Sequence, residues 1–190
     1  MKPRRSTTTS SVCRTSLSSG TRVPLIIYGS AITQPGRICE TPVITMDLYP
    51  TLLELAGETK AARNGVDGAN LAPLLLQTGT FERDALFWHY PHYQHYQLGG
   101  TTPYGAIRAG DFKLIEFFDD MRVELYNLKA DIGEQRDLSD ELPDKVQELR
   151  ARLHNWRNEV GAQMPSPNPN YDPSKPEHDP MAKKKKAGAK

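Results

Sequence analysis

Apolar residues recur along this chain with two different spacings, and the change comes near residue 84. In the first half, Val23–Tyr28 (VPLIIY) is a short apolar run closed by Gly29, which predicts a buried strand. Gln34-Pro35-Gly36 marks a turn. Leu48, Leu52, Leu55 and Ala56 then share one helical face, with Thr45 placed to cap, Asp47 in the first turn and Gly57 as the stop. Asn70–Leu76 predicts a second short helix with Pro73 near its start.

In the second half the spacing shortens. Ala85–Tyr90, Gly105–Arg108, Phe112–Phe118 and Val123–Leu128 each predict a strand. Ala109-Gly110-Asp111 and Asp119-Asp120-Met121 suit tight turns between them. Such short connections imply antiparallel pairing, because a parallel partner needs a crossover of about a dozen residues. Pro143–Val160 is the clearest helix. Val146, Leu149, Leu153, Trp156 and Val160 form one apolar stripe, with Trp156 its core anchor, while Asp144, Lys145, Glu148, Arg150 and Arg152 stay off it. This helix is expected to lie across the small sheet. Val23–Tyr28, by contrast, has no obvious second strand to sit beside it, which suggests a fragment of something larger.

Composition bounds the function. With 24 Lys+Arg against 23 Asp+Glu, the net charge is +1, which gives the chain as a whole no electrostatic appetite for nucleic acid. No stretch of about 18 apolar residues predicts a membrane span. Two cysteines, Cys13 and Cys39, are too few for a disulfide framework and lack metal-ligand spacing. Residues 1–20 are Ser/Thr-rich without the apolar core of about 7–15 residues that a secretory signal needs. Prolines recur from Pro165 to Pro180, and Lys183–Lys186 reads as a solvated run. Residues 1–20 and 163–190 are thus expected to be disordered or unrelated to the fold.

The ordered motifs resemble a known family. TRVPLIIYGSAITQPGRICETPVITMDLYPTLLELAG is similar to the segment that leads out of the catalytic core of the sulfatases, the arylsulfatase A-like branch of the alkaline-phosphatase superfamily. Asp67-Gly68 with Leu71 and Pro73–Leu75 resembles that family's D-G-x-x-L-x-P-L-L. LFWHYPHY, AIRAGDFKLIE and ELYNLKADIGEQRDL resemble its C-terminal subdomain. The likeness runs from about Thr21 to about Pro173. It implies an α/β fold, locally α+β. Residues 21–80 would be the edge of a sulfatase-type central sheet. Residues 81–162 would be a small four-stranded antiparallel sheet packed on a C-terminal helix.

The same resemblance implies chemistry that this sequence does not carry. The family's nucleophile is a Cys or Ser in C-x-P-x-R or S-x-P-x-R, oxidised to formylglycine, and neither motif occurs here. Cys13 is followed by Arg14-Thr15-Ser16-Leu17, so it is not that cysteine. The acidic residues that hold the family's divalent cation, usually calcium, are absent from the sequence. In the family's G-K-G-x-x-x-E-G-G, the lysine position falls on Cys13 and the glutamate position on Ser18, and only Gly20 fits. No catalytic or metal residue is therefore assigned. The complete family member cleaves a sulfate ester, often on a sulfated carbohydrate, and is commonly exported. The main expectation is an inactive C-terminal fragment of a sulfatase. The alternatives are a non-catalytic binding or accessory module, and a phosphatase or phosphodiesterase relative.

Some residues invite a role. His89, His92 and His95 lie in HYPHYQHY, but no Cys, Asp or Glu lies between them and Pro91 blocks a regular helix, which argues against a metal site. By resemblance, the loop after this strand borders the substrate cleft, so His89, His92 and Tyr93 are candidate sugar contacts. The plain alternative is strand-end packing. Asp111 and Lys113 read as hairpin surface charges, and Glu134, Arg136 and Asp137 as serving the approach to the last helix. Cys39 reads as an inert loop thiol.

Overall fold

The computed structural model describes residues 22–29, 36–58, 65–93, 102–166 and 169–170. The leader 1–20, His95 and Lys183–Lys186 lie outside the described residues. A 3₁₀ turn over Thr45–Asp47 leads into helix α1 (Leu48–Leu55), and α2 follows at Ala72–Leu76. Strands β1 (Leu86–Tyr90), β2 (Tyr104–Ala109), β3 (Phe112–Phe117) and β4 (Val123–Asn127) precede helix α3 (Pro143–Glu159). The four strands pair antiparallel in chain order. Gly110, at φ +56°, supplies the left-handed residue of the two-residue β2–β3 turn.

Register fixes two faces. On one, Phe87, Ile107, Leu114 and Leu125 lie in a row across the sheet. Leu149 and Leu153 of α3 close over them, with Val146 and Trp156 at the margin. The Trp156 ring stacks on Phe87 at 4.9 Å, and Trp156 is half-buried rather than the sealed anchor that its place on the stripe suggests. Val160 lies past the end of α3 and is exposed. On the opposite face, Tyr104, Ala106, Ile115, Phe117, Tyr126 and Leu128 form a second buried cluster, against which Trp88 and Tyr90 pack.

The chain before β1 is held by a buried acid. Asp47 is fully buried, and its carboxylate accepts from Ile44 N (2.8 Å), Ala69 N (2.9 Å) and both Arg83 Nη atoms (2.7 and 2.5 Å). Thr51 extends the clip: its hydroxyl donates to Asp47 O and accepts from Leu71 N at 2.8 Å. Burial works against ionisation of Asp47, but the Arg83 and backbone donors outweigh it and hold its carboxyl below the usual range. The Asp67-Gly68 motif belongs here. A Cβ on Gly68 would lie 2.1 Å from the Met46 carbonyl oxygen, so only glycine lets the two backbones meet. Asn70 sits before α2 rather than in it, because its side-chain oxygen accepts from Ala72 N at 2.9 Å.

Three further expectations change. Val23–Tyr28 forms no strand and is exposed, with Ile26 89% and Tyr28 97% accessible, since no described strand offers it a ladder. In α1 the apolar stripe faces outward: Leu52 and Leu55 are exposed while Pro50 and Thr51 are buried by the Asp47 clip. Lys113 is no surface charge. It lies on the sheet face opposite α3, 2% exposed, paired with buried Glu134 at 3.1 Å. Burial pushes the Lys113 ammonium down from its ordinary value and Glu134 pulls the other way.

Leu153→Ala, at a fully buried position, is expected to cost about 3 kcal/mol, and half-buried Trp156→Ala about 2 kcal/mol. Urea midpoints check the order; a larger loss at Trp156 would place α3 wrongly. Hydrogen exchange should protect Phe112–Phe117 and Val123–Asn127 strongly and residues 23–28 weakly. Equal protection of residues 23–28 in a monomer would mean that this run is paired in solution.

Candidate functional site

The site is built where β1 ends, and its geometry starts from one strand position. Glu116 faces α3, in the same alternation that points Leu114 inward. It is fully buried. Arg150, His154 and Arg157 recur on α3 at spacings of four and three, so they share a face. All three reach Glu116: Arg150 Nε at 2.5 Å, His154 Nε2 at 3.0 Å from both oxygens, and Arg157 through Nη2. Burial again opposes ionisation, but the donors from Arg157, His154 and Arg150 hold the Glu116 carboxyl below the usual glutamate range.

The same row carries this tie to the rim. His89, Gly105 and Glu116 are direct neighbours across β1, β2 and β3. Gly105 leaves a gap that the Phe118 ring fills: a Cβ there would lie 3.2 Å from the ring and 3.5 Å from Arg157 Nη2. The Arg157 guanidinium sits 5.1 Å from the centre of Phe118, and the His89 ring 5.3 Å from it. His89 Nε2 lies 2.8 Å from the Gln163 carbonyl oxygen. A carbonyl only accepts, so Nε2 carries a proton, and Nδ1 is buried with no hydrogen-bond partner among the described residues.

The other two candidates find different partners. The exposed Tyr93 donates its hydroxyl to Asp119 in the β3–β4 turn. His92 sets its ring edge on Tyr90, 5.8 Å between centres and 89° between planes. The rim therefore offers an exposed phenol ring fixed by a carboxylate, an exposed imidazole, and a half-buried histidine behind them. Such groups can stack on a sugar and bond its hydroxyls. Sequence reasoning missed Glu116, Arg157 and Asp119. The signal for the first two was present: a carboxylate at an inward strand position, and cations at helical spacing. Among the described residues, no three His, Cys, Asp or Glu side chains gather as metal ligands, so these residues do not fit the calcium that the resemblance implies. Cys39 is exposed, and hydrogen bonds from Thr41 lower its thiol pKa.

The family described as N-sulphoglucosamine sulphohydrolase, C-terminal, matches residues 13–163. The chain belongs to this sulfatase C-terminal family. The match starts upstream of Thr21 and stops short of Pro173. A sulfatase from Formosa agariphila is 32% identical over 152 residues, covering 72% of this chain and 27% of the relative. An N-acetylglucosamine-6-O-sulfatase from Bacteroides thetaiotaomicron is 32% identical over 121 residues, 62% of this chain and 21% of the relative. A structure solved in complex with its substrate D-glucosamine-2-N,6-O-disulfate is 30% identical, with a TM-score of 0.50, over 63% of this chain and 24% of that one. The chain spans about a quarter of the length of these sulfatases. The four-stranded antiparallel sheet with its helix agrees with the α/β class expected of a sulfatase C-terminal region.

Removing the carboxylate at Glu116 tests the tie. Glu116→Gln leaves Arg157 buried without its counter-charge and is expected to cost about 3 kcal/mol at pH 7. Because the folded pKa of Glu116 is depressed, its contribution is complete above the unfolded value, about 4.3. It is lost as pH falls through the lower folded value. Urea midpoints of the native chain and the variant should therefore begin to converge once pH falls below the unfolded value, about 4.3; a gap that widens on acidification would contradict the assignment.

Proposed function

We propose that this chain is a sulfatase C-terminal subdomain that helps to shape the sugar site of a sulfate-ester hydrolase and has no hydrolytic power alone. The observation that carries the reading is the combination of family membership with a sequence that holds neither C-x-P-x-R nor S-x-P-x-R. Without the formylglycine precursor there is no nucleophile to attack sulfur. The exposed apolar side chains within residues 22–29 and 36–58 support a fragment of a larger enzyme. Val23, Ile26, Tyr28, Ile38, Leu52 and Leu55 are all exposed, apolar side chains of the kind that a neighbouring part of a larger enzyme would cover.

The substrate class proposed is a sulfated carbohydrate. It is supported by the relative named for N-acetylglucosamine-6-O-sulfate chemistry and by the neighbour solved with a glucosamine disulfate. In this reading Tyr93 supplies the ring on which a sugar stacks, His92 a hydrogen bond, and His89 the support behind them.

The purified chain is expected to release no sulfate from p-nitrophenyl sulfate, with or without calcium. Release that survives Cys13→Ala would sink the non-catalytic reading. The positive arm is a chimera in which residues 22–163 replace the matching region of the Formosa agariphila sulfatase. It should hydrolyse sulfated saccharide, and Tyr93→Ala should lower its kcat/KM about tenfold, as expected for one lost stacking contact. A folded chimera indifferent to both Tyr93→Ala and His92→Ala would remove the rim from the sugar site.

A further inference from the structure

One flank of α3, beside its sheet-facing stripe, carries an open trough of about 410 Å³, lined by residues that include Ser139, Val146, Gln147, Arg150, Ala151 and His154. Its electrostatics are set by Glu116 behind it. One carboxylate there meets two guanidiniums and an imidazole. Arg157, 7% exposed, is the sealed partner whose charge cancels that of Glu116. Arg150 is the surplus cation. Its side chain is 37% exposed, and it commits only Nε to the carboxylate. A guanidinium has five N–H donors in a planar fork, so its outer edge is left without a partner among the described residues. Glu148 is paired with Lys145 and Glu141 with Arg136.

The rest of the lining is mixed. Ser139 and Gln147 add neutral donors and acceptors, while Val146 and Ala151 supply apolar surface. An outward guanidinium, neutral hydrogen-bonding groups and a small apolar patch match three parts of one ligand type. These are a sulfate oxyanion, sugar hydroxyls and the C–H face of a pyranose. The volume falls within the range of about 300–1,000 Å³ usual for small-molecule sites.

We propose that this trough is a second saccharide site, separate from the β1 rim, which holds one sulfated sugar unit through Arg150. The proposal rests on the sulfated-carbohydrate reading above. Its role is to grip a glycan at a residue other than the one being hydrolysed, so that a bound chain is retained between cleavages.

The test uses the full 190-residue chain, with amide NMR shifts followed as D-glucosamine-2-N,6-O-disulfate is added. Saturable shifts at Ser139, Gln147 and Ala151 are expected. Arg150→Gln should weaken them on the order of tenfold, the loss typical of one charge-assisted contact. Because Arg150 also touches Glu116, the exposed Gln147→Ala serves as the second variant. It should weaken binding severalfold and leave the urea midpoint unchanged. Unsulfated glucosamine should shift nothing, and inorganic sulfate should bind less tightly than the disulfate. Equal binding of inorganic sulfate would overturn the saccharide assignment. Absent shifts, or shifts confined to His89–Tyr93, would overturn the trough while leaving the proposed function in place. A chimera that cannot hydrolyse sulfated sugar while these shifts persist would have the opposite meaning.

Discussion

A carboxylate sealed from water costs several kcal/mol unless cations answer it. Glu116 imposes that condition on the whole second half of the chain. It sits inside the sheet's helix-facing side, and among the described residues the groups that answer it come from α3. Leucines alone would let the helix slide along the sheet, since apolar contact is non-directional. A carboxylate held from Arg150, His154 and Arg157, spaced four and three residues apart, does not permit that, because moving α3 by one residue would strand a buried charge. The position of Phe118 over Gly105, and of His89 beside it, follows from where α3 puts Arg157.

The same device recurs twice more. Asp47 joins residues 44–51, 69–71 and 83, and Lys113 joins β3 to the loop after β4 through Glu134. Each pair ties segments that are distant in sequence. A buried ion pair adds little net stability compared with apolar residues of similar volume. Its effect here is registry: it rejects arrangements in which the charge would be orphaned. A domain with a modest core can specify its geometry in this way without a larger hydrophobic interior.

Apolar periodicity made the later half legible. Strand alternation gave four strands to within two residues, and the stripe from Val146 to Trp156 gave α3. The charged interior was hidden because periodicity treats every Lys, Glu and Arg as solvent-facing, and among the described residues Lys113, Glu116, Glu124, Glu134 and Arg157 are exceptions. In the first half the failure ran the other way. Leu52 and Leu55 obey helical spacing yet lie exposed, because the Asp47 clip buries the Pro50–Thr51 side of α1 instead. A pattern tells which side of a helix wants cover, and it is silent on whether the cover is present. At the rim, residue types suggested sugar contacts, but the Tyr93–Asp119 bond depends on how β1 and the β3–β4 turn meet, which one sequence does not encode locally.

The strand order β1-β2-β3-β4 also bears on how the chain reaches this shape. Every ladder joins neighbours in sequence, and the β2–β3 and β3–β4 closures span short turns that cost little chain entropy. The two-residue turn at Gly110-Asp111 makes β2–β3 the cheapest to form, and β4 can then add across its own short turn. β1 must wait for a longer connection, and α3 finds its seat only when Glu116 is already in line. The element that carries His89 is thus the late arrival in the sheet, joining a platform that its neighbours have built.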